Sequence, residues 1–122
     1  MLVKESFLGD VITAEGQIAP ERLTAELHIT KAELAAAFGL SRDAVSKTAR
    51  LNAQATQTRL REVVEIINRV LPWTGSVTQA FAWYRSQPLP SFGDRTAEDL
   101  VKEGRAEAVK RYLSRIAAGG HA

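Results

Sequence analysis

The sequence predicts an all-α protein, because almost every segment after Pro20 combines helically spaced apolar residues with helix-boundary signals. Two segments, Thr30–Glu33 and Ser76–Gln79, have the form of a capping box, in which a Ser or Thr hydroxyl and a Glu or Gln side chain satisfy each other's backbone amides. Hydrophobic residues make up 45% of the 122 residues and charged residues 25%, which is ordinary globular composition. This length allows one domain, or two very small units sharing a core.

The N-terminal residues give weaker signals. Val11–Thr13 could form a short strand or belong to an arm, and Gly16-Gln17 has the composition of a turn. Residues 1–19 are therefore expected to be a poorly defined N-terminal arm. Pro20 suits the first position of a helix, where its missing N–H costs nothing.

The middle of the chain predicts two short helices joined by a tight turn. Thr30 begins an Ala-rich helix that ends at Phe38, and Gly39 stands where a left-handed residue stops a helix. Ser41 can cap a second helix, which is predicted to run to about Arg50.

The cleanest helical pattern lies between Thr56 and Leu71, and Pro72 is expected to end this helix. Its apolar stripe could belong to the internal core or to a homodimer seam. The stripe consists of Leu60, Val63, Val64, Ile67, Val70 and Leu71.

Three further helices are predicted in the last third of the chain. The first begins after Ser76 and ends before Pro88 and Pro90, which start an extended loop to about Asp94. Its stripe contains Val77, Ala80, Phe81 and Tyr84, with Trp83 beside it. The second lies between Thr96 and Gly104. The third aligns Ala106, Val109, Leu113 and Ile116 and stops at Gly119-Gly120.

Several classes of protein are excluded or made improbable by composition. Cys is absent, which excludes disulfide scaffolds, thiolate metal sites and cysteine nucleophiles. With only His28 and His121, a histidine metal site or catalytic triad is not expected. No apolar run is long enough to span a membrane, and Met1–Glu5 lacks the features of a signal peptide. We therefore expect a cytoplasmic binding protein without a cofactor.

Positive charge is concentrated in one part of the chain. The net charge is only +2, but Lys31–Arg61 contains six Lys and Arg residues against two acidic residues. Such a block can form a phosphate-facing surface, or it can be an ordinary solvated helical face.

The segment Lys31–Arg50, KAELAAAFGLSRDAVSKTAR, resembles the helix-turn-helix of Xre/Cro-type DNA-binding proteins. Ala35 is small where the two helices cross, and Gly39 lies at the turn. The resemblance implies that the second helix enters the major groove, although the motif could also serve only as a scaffold. The residues expected to contact DNA are Ser41, Arg42, Ser46, Lys47 and Arg50.

The segment Trp83–Gly120 is similar to the toxin-binding domain of the Xre/MbcA/ParS antitoxins. The similarity falls on a tryptophan, a Pro-containing loop, a helix ending in Gly and a final amphipathic helix ending in Gly. The matching residues are Trp83, Pro88, Gly93, Asp99-Leu100-Val101, Gly104, Val109, Leu113, Ile116 and Gly119. The chain departs from the family at Leu89, where Asn is usual, and near Ala97, where Pro is favoured. The resemblance therefore implies a helix-turn-helix domain over 20–72 and a toxin-binding domain over 73–122.

This resemblance implies the antitoxin of a type II toxin–antitoxin pair. The implied partner is a RES-domain toxin, which consumes NAD or modifies targets with it, and the antitoxin would cover the toxin's NAD cleft with its C-terminal domain. Such complexes commonly bind their own promoter, so operator DNA is a second implied partner, and a homodimer within a hetero-oligomer is expected. The antitoxin itself would not be an enzyme and would bind no cofactor.

Two groups of residues are candidates for toxin binding. The C-terminal Gly119, Gly120 and His121, with Arg115 in the final helix, could enter a cleft that binds pyrophosphate, although chain ends often contact nothing. Trp83, Leu89 and Phe92 flank the Pro-containing loop and could be either core or interface residues.

Two other functions remain as alternatives. A stand-alone Xre-family transcriptional regulator would share the helix-turn-helix and use the last third only for oligomerisation. A small enzyme would need carboxylate pairs such as Glu62 with Glu65, or Asp94 with Glu98 and Asp99, to be catalytic. Carboxylates in such positions are far more often solvating or capping groups, and no histidine, cysteine or glycine-rich phosphate loop lies nearby.

Overall fold

The computed structural model describes residues 3–119, with side chains from Phe7 onward, and confirms an all-α fold. Residues 3–119 contain no strand, only the isolated bridges Ile12–Ile18 and Leu89–Arg95 and a 3₁₀ turn at Pro90–Phe92. The helices are α1 (Val3–Val11), α2 (Pro20–Leu27), α3 (Lys31–Phe38), α4 (Arg42–Ser46), α5 (Thr48–Leu51), α6 (Gln54–Thr74), α7 (Val77–Ser86), α8 (Ala97–Lys102) and α9 (Ala106–Ala117). Within this range, no helix is both long and apolar enough to cross a membrane.

The predicted capping signals are found where the helices begin and end. The Thr30 hydroxyl accepts from the Glu33 amide at 3.0 Å while the Glu33 carboxylate accepts from the Thr30 amide at 2.8 Å. Thr96 begins α8 with the same reciprocal pair. Ser76 accepts from the amide of Gln79 at 3.1 Å, but the reciprocal bond to the Gln79 side chain that a capping box requires is not formed. These local bonds satisfy amides that a helix start would otherwise leave unpaired.

The N-terminal segment is a helix rather than a strand or arm. Helix α1 extends to Val11, and the predicted strand at Val11–Thr13 is reduced to the single bridge between Ile12 and Ile18. Phe7 and Val11 are four residues apart on one helical face, and both are buried, as is Ile18. The sequence pattern was too short to distinguish a strand from this one-sided helix.

The long helix does not end at Pro72, as the sequence predicted. Helix α6 continues to Thr74 and ends at Gly75, whose φ is +91° and whose amide donates to Leu71 O at 2.9 Å. Proline in the last turn removes one backbone hydrogen bond. Leu71 at the preceding position is nevertheless buried, with only 3% of its surface exposed. Burial of this apolar face therefore maintains the helix past the proline.

The helix after Ser41 is shorter than predicted. It ends at Ser46, because Lys47 has an extended backbone, and α5 begins separately at Thr48. Ala44 and Val45 are its buried residues, whereas every residue from Ser46 to Arg50 is exposed. Without an apolar face to bury, these residues have no packing that would hold a continuous helix to Arg50.

One hydrophobic core joins the segments 20–72 and 73–119. Helix α6 packs against α1 and α3, which precede it in the chain, and against α7 and α9, which follow it. Buried residues from Phe7 to Leu113 form one cluster. The two predicted domains therefore share their apolar interior.

Tyr84 links the two segments by a buried hydrogen bond. Its hydroxyl, on α7, donates to the carbonyl of Ala37 at the end of α3 at 2.8 Å. The ring packs edge-on against Phe38 and stacks on Phe81. Burial raises the pKa of Tyr84 well above its usual value, so the phenol remains a proton donor.

We predict that Tyr84→Phe lowers the free energy of unfolding by about 1–3 kcal/mol, because it leaves the buried Ala37 carbonyl without its donor. Urea unfolding followed by circular dichroism measures this change. Tyr112→Phe is the matched control, since the Tyr112 hydroxyl makes no hydrogen bond within residues 3–119, and we expect its effect to stay within about 0.5 kcal/mol. Equal losses of stability in the two variants would contradict the role of the Tyr84 bond.

We also predict that the chain unfolds as one cooperative unit, because the segments 20–72 and 73–119 share a core. Trp73 and Trp83 report on the C-terminal segment by fluorescence, while circular dichroism reports on all helices. The two urea transitions should have the same midpoint. Separate midpoints would show that the segments fold independently.

Candidate functional site

The segment expected to bind DNA forms two helices joined at Gly39. Gly39 has a φ of +70°, and an added Cβ would lie 2.7 Å from Arg59 Nη1 and 3.0 Å from Lys102 Cγ. Arg59 Nη1 also donates to Phe38 O at 3.0 Å. The turn therefore requires glycine both for its backbone conformation and for space, and residues of α6 and α8 hold it in place.

The five residues predicted to contact DNA lie between the N-cap of α4 and α5. Ser41 is used as a helix cap, with its hydroxyl accepting from Ala44 N at 3.1 Å. Arg50 Nη1 lies 3.8 Å from a carboxylate oxygen of Asp43, and both side chains are more than half exposed. The other three residues, Arg42, Ser46 and Lys47, are also exposed.

This arrangement leaves a basic, accessible surface, but with a shorter second helix than the sequence suggested. Because α4 has five residues, Lys47 and Arg50 project from the break and from α5 rather than from one continuous helix. Phosphate contacts need only positive charge at the surface, whereas reading base edges needs a helix that fits the groove.

The loop from Gln87 to Arg95 is held by the buried Leu89. Its side chain is 1% exposed, its amide donates to Arg95 O at 3.0 Å, and its carbonyl accepts from the amides of Phe92 and Asp94. Leu89 therefore fixes the loop from inside and is not available to a partner in this conformation.

An ion-pair cluster connects the helices on either side of this loop. Glu98 on α8 is 7% exposed and accepts from Arg85 Nε at 2.6 Å, Arg85 Nη2 at 3.1 Å and Lys102 Nζ at 2.6 Å. The hydrogen bond with Glu98 raises the pKa of Arg85. A nearly buried carboxylate with both partners in place locks α8 against α7.

Phe92 and Arg115 belong to a row of four side chains, in which two adjacent aromatic rings have an arginine at each end. Phe92 packs edge-on against Tyr112, with ring centroids 5.8 Å apart. Arg105 lies over the Phe92 ring at 5.5 Å, and Arg115 lies over the Tyr112 ring at 5.8 Å. Phe92 is half-buried and Arg115 is exposed, so both are accessible at the surface of α9 and the loop.

The two tryptophans differ in exposure in a way that the sequence pattern did not predict. Trp83, the predicted interface residue, is partly buried against the core. Trp73, at the end of α6, is 49% exposed. Among residues 7–119 it is the one large hydrophobic residue that is exposed. The sequence contained one signal for this exposure, because Trp73 lies off the apolar stripe that ends with Val70 and Leu71. The signal was missed because the helix was expected to end at Pro72.

The final helix leads directly to the predicted C-terminal contact segment. Helix α9 ends at Ala117, and Gly119 has a φ of +98°. Gly120 and His121, which were also predicted to bind toxin, lie outside the described residues.

The carboxylates considered for catalysis take part in structural contacts. Glu62 lies 3.4 Å from Arg59 Nε, and Glu65 accepts from Lys110 Nζ at 2.9 Å. Asp99 caps α8, and Glu98 belongs to the ion-pair cluster. Residues 3–119 contain no group of three or more His, Asp or Glu side chains placed to hold a metal ion.

Comparison with known proteins gives one family match. Residues 72–119 match the model of the antitoxin Xre/MbcA/ParS C-terminal toxin-binding domain. The matched range contains α7 to α9, the Leu89 loop and Trp73, whereas the helix-turn-helix segment lies outside it. No curated protein and no solved structure matches the chain. The match supports an Xre/MbcA/ParS-type antitoxin that binds a toxin through its C-terminal segment.

Proposed function

We propose that this protein is the antitoxin of a type II toxin–antitoxin system and acts in the cytoplasm without catalysing a reaction. Its partner is a RES-domain toxin that consumes NAD, and the antitoxin covers the toxin's active site with its C-terminal domain, residues 73–122. The observation that carries the proposal is the match of residues 72–119 to a toxin-binding domain. The RES partner is supported by the resemblance of the loop and final two helices to that domain.

The end of α9 is proposed as the occluding element. Arg115 is exposed in the last turn of this helix, and the chain continues from Ala117 through Gly119 to the C-terminus. Two consecutive glycines, Gly119 and Gly120, make this segment narrow enough to enter a cleft that binds a small molecule. Residues 119–122 are the proposed inhibitory tail, with Arg115 beside it.

Removal of the inhibitory tail is expected to separate binding from inhibition. A chain ending at Ala118 keeps all of α9 and the core residue Leu113, so its circular dichroism spectrum and unfolding midpoint should match those of the full chain. Co-expressed with the RES-domain protein encoded beside this gene, it should still co-elute with the toxin in size-exclusion chromatography. Cellular NAD should nevertheless fall to the level seen with the toxin alone.

The full chain and an exposed-site variant serve as controls for this experiment. The full chain must form a complex and restore NAD, and Ala82→Ser, at an exposed position on α7, must do the same. If the full chain neither binds the toxin nor restores NAD, a stand-alone DNA-binding regulator becomes the better account. If the shortened chain restores NAD fully, inhibition belongs to the helix faces instead of the tail.

A second part of the proposal is that the protein represses its own operon through the segment Lys31–Arg50, as a homodimer within the toxin complex. Support comes from the exposed side chains of Arg42, Lys47 and Arg50 and from the basic excess of this part of the chain. Two copies related by a two-fold axis would match paired half-sites in an operator.

We expect the triple variant Arg42→Ala, Lys47→Ala, Arg50→Ala to weaken operator binding and its dependence on salt. The logarithm of the DNA-association constant falls linearly with the logarithm of the salt concentration, and each cation that contacts a phosphate contributes about 0.9 to the steepness of that slope. Removing all three cations should therefore reduce the steepness by about 2 to 3. Fluorescence anisotropy with operator DNA at several salt concentrations measures the slope.

A charge-matched control is available at α9. The triple variant Arg105→Ala, Arg111→Ala, Arg115→Ala removes the same charge from exposed positions at or before α9. Its slope should stay close to that of the unmodified protein. Equal slopes for all three proteins would rule out the assigned DNA-binding surface.

A further inference from the structure

Trp73 and the surface around it have no role in the occlusion proposed above. Trp73 is 49% exposed, and it borders an open cleft of about 340 Å³ between the end of α6 and α9. The other residues lining the cleft are Arg69, Leu113, Ser114 and Ala117. A half-exposed tryptophan beside an apolar cleft is an unfavourable arrangement in water, and tryptophan is among the residues that contribute most at protein interfaces.

Arg69 is held at the edge of this cleft without a carboxylate partner. Its Nη1 donates to the carbonyl of Lys110 at 3.2 Å and to the hydroxyl of Ser114 at 3.0 Å, which are both neutral acceptors. The guanidinium is therefore positioned by α9, but its positive charge is not neutralised by any ion pair of the described residues.

Two further arginines on α9 share this property. Arg111 and Arg115 are exposed, and neither lies within ion-pair distance of an acidic side chain among residues 7–119. By contrast, Lys110 on the same helix contacts both Glu65 and Glu107 at 2.9 Å. Arg111 lies one helical turn before Ser114, the residue that Arg69 contacts, whereas Arg115 lies over the Tyr112 ring on the other flank of α9.

These charges indicate the chemistry of the partner. A surface that carries Arg69 and Arg111 is complementary to carboxylates arranged around an apolar pocket. A second copy of this chain docked on the same surface would bring equal arginines together across a two-fold axis, which is electrostatically unfavourable.

Resting on the proposed antitoxin function, we infer that Trp73 and its arginine rim anchor the toxin at an acidic, apolar-lined surface outside its active site. The anchor consists of Trp73, the exposed cleft residue Ala117, and the rim of Arg69 and Arg111. Affinity then comes mainly from this anchor, while inhibition comes from the tail after Ala118.

Binding and inhibition are measured separately to test the inference. With purified toxin, Trp73→Ala should raise Kd at least about 30-fold, the effect expected for a hot-spot residue, yet inhibit NAD consumption completely at saturating concentration. The chain ending at Ala118 should behave in the opposite way, with Kd changed less than about threefold and NAD consumption continuing at saturation.

Two pairs of variants test the anchor without removing Trp73. Ala117→Trp fills the cleft from an exposed position and should weaken toxin binding about as much as Trp73→Ala, whereas Ala82→Trp, exposed on α7, should not. Arg69→Glu should weaken binding and reduce its salt dependence, and Arg42→Glu on α4 is the control with the same change of charge.

Each outcome has a defined meaning. Complete absence of binding by the unmodified chain overturns the proposed function and the anchor together. Normal binding by the unmodified chain, with Kd unchanged in both Trp73→Ala and Ala117→Trp, overturns the anchor alone. If Trp73→Ala instead converts a dimer to a monomer in light scattering and leaves the toxin Kd per protomer unchanged, the surface belongs to a second copy and the inference is wrong.

Discussion

The buried contact between α7 and the end of α3 connects the segments 20–72 and 73–119. Tyr84 donates its phenolic proton to Ala37 O inside a cluster of aromatic rings, and Arg59 donates to the neighbouring Phe38 O. Buried carbonyl groups at a helix end must find donors, and here the donors come from helices that follow the turn in sequence. The Gly39 turn is consequently held by α6, α7 and α8, so the segment proposed for DNA binding is supported by the segment that matches a toxin-binding domain.

This shared support has a consequence for how the two proposed activities relate. The ion-pair cluster of Glu98, Arg85 and Lys102 locks α8 against α7, and Lys102 also packs over Gly39. A partner that shifted α8 would therefore act on the turn before α4. The proposed anchor lies on α6 and α9, whereas Lys102 belongs to α8. Under the proposal, toxin bound at the anchor leaves the Gly39 turn in place, as simultaneous binding of operator DNA would require.

The surface of the C-terminal segment divides into parts with different physical character. On one flank of α9, the adjacent rings of Phe92 and Tyr112 are flanked by the guanidinium groups of Arg105 and Arg115. On the other flank, Trp73 and Arg69 border the cleft against Leu113 and Ala117. Both flanks leave the inward face of α9 free to bury Val109 and Leu113 in the core. One short amphipathic helix can therefore carry core packing and partner binding on separate faces.

The sequence by itself determined the helices whose ends are controlled by neighbouring residues. The Thr30 and Thr96 capping boxes and Gly39 act through bonds and backbone angles within a few positions, so local chemistry predicts them. Tertiary packing decided the rest. Burial of α6 carried the helix past Pro72 and exposed Trp73, and burial of Phe7 and Val11 made the N-terminus a helix. The lack of buried residues after Val45 ended α4 at Ser46, and Leu89 became a core residue rather than a contact. Each of these features depends on contacts between residues from distant parts of the chain. The local spacing of residues in the sequence does not specify those contacts.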